Sequence, residues 1–318
     1  MRKISVAVLA AAVCSSAAPV AFACSSCGCT LSSDWASQGY AAGEGLRVVF
    51  RYDYFNQDEL RSGTHAVDRS SISIPTDQEV QQSTVNHNYS FALDYSPNAN
   101  WGVNVLAPYF DRFHSTIAPG DTDISTSHTT SIGDVRIVGR YQGLTGAHNL
   151  GVQLGIKLPT GSYNNNFSTG PQAGTPLDRG LQPGTGTTDL IAGVYYFDDL
   201  SRDWGYFAQA LVQQPLNSKD EFKPGTGLNI NLGIRYMGFE KITPHVQLNG
   251  RVEGRESGQN ADVDNSGATL VYLSPGVTVS VSHRLQLFGF FQVPVYQRVN
   301  GLQLEPRFTI SAGVYYSL

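Results

Sequence analysis

From Leu46 to the C-terminus the chain alternates apolar and polar residues with a period of two. In 46–55, Val48, Phe50, Tyr52 and Tyr54 share one face, while Arg47, Val49, Arg51 and Asp53 share the other. Segments 84–95, 149–159 and 227–236 repeat the scheme. Successive strand residues point to opposite faces, so such segments form strands with one apolar and one polar side. Only 15% of the residues are charged, against about 25% in an average domain. The 33 Gly, 16 Tyr and 15 Phe exclude a coiled coil or helix bundle, and the aromatic content excludes disorder.

Alternation alone fits a soluble sandwich as well as a membrane barrel, and loop lengths separate the two. The pattern predicts twelve strands near 46–55, 84–95, 101–113, 132–142, 149–159, 188–198, 204–215, 227–239, 242–255, 269–281, 284–297 and 303–318. Links after even-numbered strands are short, as in SPNAN, LTGAH and DLSRD, and most others are long and polar. An even strand count with turns short on one side and long on the other marks an all-β, antiparallel up-and-down transmembrane barrel of the Gram-negative outer membrane. No later segment offers the roughly 18 consecutive apolar residues of a membrane helix.

The N-terminus sets the compartment. Arg2 and Lys3 precede an apolar run over 4–13, and Ala21-Phe22-Ala23 forms an A-x-A cleavage site. Residues 1–23 therefore read as a secretory leader. Without it the formal net charge of −5 becomes −7, which argues against nucleic-acid partners. Residues 24–44 form a periplasmic segment holding Cys24, Cys27 and Cys29, and 45–318 form the barrel. The three thiols can form a disulfide with one cysteine to spare, or hold a soft metal; Cys24 can also carry a lipid, although Ala21 departs from the usual Leu. An accessory barrel serving metal or electron-transfer partners is the corresponding alternative function.

The polar strand face predicts a lumen lined by Arg47, Arg51, Asp53, Arg136, Arg140, Lys157, Asp189, Arg235, Arg251 and Glu253, with Asp94, Asp134, Arg255, Glu305 and Arg307 on the same side. These charges either line a polar passage or pair and occlude it. Aromatics at the short turns, namely Tyr95, Trp101, Tyr141, Phe197, Trp204 and Phe239, predict an interfacial girdle. Pro108, Pro275, Pro294 and Pro306 should fall at bulges or strand ends, because proline cannot donate to a ladder. Ser311, Gly313, Tyr316 and Leu318 resemble the terminal signal read by the barrel-assembly machinery.

The link over 161–189 is too polar for a core of its own, and loops of this length are usually functional or mobile. It is flanked by Leu158-Pro159-Thr160-Gly161 and contains Gln182-Pro183-Gly184-Thr185-Gly186, followed by Asp189. These motifs resemble the outer-membrane family labelled "MetA-pathway of phenol degradation". The resemblance implies a barrel embedded in the outer-membrane bilayer that transports small aromatic or hydrophobic molecules. A lipid hydrolase is the enzymatic alternative, resting on the dipeptide His114-Ser115 at a strand end. The leading expectation is a non-enzymatic channel.

Overall fold

Strand formation follows the alternation. In the computed structural model, which describes residues 38–39 and 43–318, the strands are β1 (Gly45–Gly63), β2 (His65–Ala66), β3 (Val80–Ser96), β4 (Trp101–Ile117), β5 (Ser125–Ile132), β6 (Val135–Tyr141), β7 (Leu150–Leu158), β8 (Asp189–Asp199), β9 (Trp204–Pro215), β10 (Gly227–Tyr236), β11 (Ile242–Glu253), β12 (Ala268–Ser280) and β13 (Leu285–Ser317). The leader and Cys24, Cys27 and Cys29 lie outside the described residues.

Eleven of these elements form an antiparallel ring that closes where β13 pairs with β1; β2 pairs with β1 alone and β5 with β4 alone. An extended strand of 33 residues would reach about 110 Å at ~3.3 Å per residue, far beyond a barrel wall. Instead β13 doubles back at Asn300 and Gly301. Its first half pairs with β12 and its second half with β1, and the Phe291 and Phe308 rings stack at 5.5 Å. The ring is therefore crossed twelve times, matching the expected strand count.

Burial is inverted relative to a soluble protein. Leu154, Leu232, Val246 and Val293 are exposed, whereas Asn86, Asn249, Ser274 and Gln292 are completely buried. Apolar side chains belong outside only where the surroundings are hydrocarbon, and a closed ladder satisfies the backbone there. No helix among the described residues is long and apolar enough to cross a membrane. The girdle forms at the short-turn end, where Trp101 and Tyr141 approach to 4.7 Å and Trp204 and Tyr236 to 5.0 Å. Phe197 is not part of it. The odd parity that turns Asp189 inward turns Phe197 inward too, beside Tyr195, and Tyr196 takes the outward place.

Three of the four prolines interrupt pairing as expected. Pro306 sits between two register shifts against β1, Pro294 adjoins the shift in β12–β13, and Pro108 lies where β4 changes partner from β6 to β5. Pro275 differs, because it lies within β12 and the register is the same on both sides of it. There the missing N–H interrupts hydrogen bonding without adding a residue. The bulge at Pro306 also reverses Arg307, which points outward with Nε 3.3 Å from Asp58 rather than into the lumen. Arg255 lies beyond the end of β11 and bonds the Val263 carbonyl, so it is a loop residue.

Candidate functional site

Inward parity gathers the predicted lumen charges, and nearly all are held by a neighbour. At the short-turn end Asp94 accepts from Arg47 at 2.8 Å and from both terminal nitrogens of Arg140, all three being buried. Arg235 donates to the Gln38 and Gly39 carbonyls, so these two residues sit in the lumen at this end. Midway, Arg51 donates to Asp53 at 2.9 Å, and Asp53 also accepts from Ser311. Across the lumen Arg251 donates to Glu253 at 2.5 Å and to Asn229 at 3.0 Å.

Towards the long-loop end, residues 177–187 fold back into the barrel as a strap. Leu177, Leu181, Gln182 and Thr187 are buried there, and Arg112 Nη1 donates to the Leu181 carbonyl at 2.6 Å. Arg112 falls on the inward parity of β4 and could have been read from the alternation; its partner could not. Lys157 secures the strap's far end. Its Nζ lies 3.0 Å from Asp134 and 3.0 Å from Asp189 and donates to Thr185, while Asp134 accepts from the Gly161 and Thr185 amides.

The two loop motifs are the parts of this latch. Pro159 and Thr160 are exposed at the end of β7, where Thr160 bonds the Gly133 carbonyl and the Val135 amide. Pro183 and Gly184 are buried, and the Gly184 backbone lies directly on that of Gly161. A Cβ on either glycine would run into the other's backbone. Gly186 has a φ of +71°, a conformation that favours glycine. Asp189 completes the latch by accepting from Thr187 and Gln213. Gly184→Ala is therefore expected to loosen the strap by about 1–3 kcal/mol through overpacking. Limited proteolysis within 162–182 reads this, and unchanged cleavage would contradict it.

Below the strap lies a cavity of about 270 Å³. Its wall includes the charges Arg51, Asp53, Arg136, Lys157, Asp189, Arg251 and Glu253, and an apolar strip of Leu106, Val138, Ile191 and Leu211. The inward apolar residues were not singled out in the sequence, because period-two reading assigns apolar side chains to the outer face. Arg179 lies between the Tyr163 and Phe222 rings, 4.8 and 4.7 Å from their centroids, and bonds the Thr185 carbonyl. Beside it Asp178 is exposed overall. Loss of water around its carboxyl, then the charges of Glu79, Asp262 and Glu256, push it well above the usual carboxylate range.

His114 and Ser115 do not meet. His114 Nδ1 lies 2.8 Å from Thr84, whereas Ser115 is turned to Ser83 on the opposite face of the strand. A nucleophile and base must share a hydrogen bond, so this dipeptide is not the hydrolytic pair the enzyme reading needs.

No curated protein sequence matches the chain. Among solved structures, an outer membrane channel from Pseudomonas putida F1 superposes with a TM-score of 0.65 at 14% identity, covering 91% of this chain and 99% of that one. The toluene transporter TbuX of Ralstonia pickettii has a TM-score of 0.45 at 10% identity, covering 87% and 89%. The first likeness establishes a shared fold. The family model described as "Putative MetA-pathway of phenol degradation" matches residues 61–305, which include the latch and most of the barrel, and the chain belongs to that family.

Proposed function

We propose that this protein is an outer-membrane channel for small, weakly polar molecules, aromatic compounds among them. The carrying observation is the cavity, whose wall combines an apolar strip of four side chains with ion pairs that neutralise one another. Paired charges present no single-sign ring to attract ions, while the strip offers a dry surface to a hydrocarbon ring. About 150 Å³ suffices for benzene, so a cavity of 270 Å³ admits one substituted ring. Membership of a family described by phenol degradation supports the same reading, as does the fold shared with the outer membrane channel of Pseudomonas putida.

The short-turn end and the N-terminus face the periplasm in this reading, after removal of residues 1–23. The last strand, which pairs with β1, carries the segment that resembles the signal for the assembly machinery and would serve as that signal in this reading. Liposomes containing the purified protein test the transport claim. Phenol and catechol should equilibrate faster than across empty liposomes, with little gain for a disaccharide. Equal rates for all solutes, or no gain for any, would overturn the reading.

A further inference from the structure

Three carboxylates from three separate long loops converge at the barrel mouth. Glu79 ends the loop 64–79, Asp178 opens the strap, and Asp262 lies in the loop 254–267. One oxygen from each lies within 4.8 Å of the others. Like charges brought this close repel unless a cation or protons offset them.

A second observation points to a cation. His114 is 1% exposed, its Nε2 has no hydrogen-bond partner, and that nitrogen lies 3.9 Å from Glu79 Oε1. Its other nitrogen lies 2.8 Å from Thr84 Oγ1, and the Phe167 ring sits 6.3 Å from the imidazole. With Nδ1–H donated to Thr84, Nε2 presents its lone pair towards Glu79. Fixing the ring through its second nitrogen is how proteins orient a ligating histidine.

We propose that Glu79, Asp178, Asp262 and His114 Nε2 form a divalent transition-metal site of the Zn²⁺ class that ties three loops together over the lumen. The imidazole selects that class, because carboxylates alone suit Ca²⁺ or Mg²⁺. Ligand bonds of about 2.0–2.2 Å require the donors to draw in from their present spacing. Three of the four donors sit on loops, with His114 on β4, and the strap that carries Asp178 also covers the cavity. Metal binding would therefore hold the lumen's cover closed. This assignment is independent of what the channel carries.

The test uses the full-length barrel in detergent, with Cys24, Cys27 and Cys29 replaced by Ser in every arm so that thiols do not take the metal. Calorimetric titration with Zn²⁺ alone should show one site that Asp262→Asn and Glu79→Gln each weaken tenfold or more. His114→Ala should weaken it comparably, and proteolysis of 159–188 should slow when Zn²⁺ is added. Asp262 lies in a surface loop, so Asp262→Asn keeps the test valid if His114→Ala fails to fold. Three results would each overturn the proposal: no difference in Zn²⁺ binding between background and variants, Ca²⁺ binding that His114→Ala leaves unchanged, or loops that tighten only on acidification.

Discussion

Replacing Lys157 by Met is expected to release the strap and enlarge the conducting path. Lys157 is the cation between two buried carboxylates, Asp134 and Asp189, and it also bonds Thr185. Met keeps much of the side chain's length and removes its charge, leaving both carboxylates buried without a cation. Removing one partner of a buried pair costs about 3–5 kcal/mol. Applied to strap closure, that shifts the closed-to-open ratio by about two to nearly four orders of magnitude, at ~1.4 kcal/mol per tenfold. Single-channel conductance should rise, and protease should cut within 162–182. The double variant Lys157→Met/Asp189→Asn should recover part of the closure, because it removes a stranded charge as well. Conductance and cleavage identical to the parent would show that Lys157 does not latch the strap.

The second large effect is expected at the opposite end. Asp94 pairs with both Arg47 and Arg140, and all three are buried. Asp94→Ala removes the carboxylate that both guanidiniums share, while their common neutral acceptor Ser96 stays. The loss is again about 3–5 kcal/mol, here spread over the β1–β3–β4–β6 wall. The temperature at which the barrel unfolds on a heat-modifiability gel should fall by on the order of 10 °C. Asp94→Asn, which still accepts a hydrogen bond, should fall less. If Asp94→Ala unfolds with the parent, the cluster does not stabilise the wall.

These two clusters also show how far the chain can be read without its fold. Arg47, Asp94, Arg140, Lys157 and Asp189 were each assigned to the lumen from parity alone, and all are buried there. Parity also holds the answer for Phe197: its closeness to a turn suggests the girdle, whereas counting from Asp189 turns it inward. For Arg307 the count failed, because the bulge at Pro306 resets the period. A proline marks that a bulge is near, but not which neighbour it turns over.

By itself, the sequence determined the strands, their two faces and the closed membrane barrel, since alternation is local and fixed by strand geometry. Tertiary structure decided which charges neutralise which, that residues 177–187 enter the lumen, and that the loop motifs form a latch. It also brought Glu79, Asp178 and Asp262 to one point and set His114 beside Glu79. Those contacts join residues from distant loops and strands, and their partners depend on register, closure and the path of the loops. A period of two fixes the direction of a side chain, whereas its partner is set only once the ring has closed.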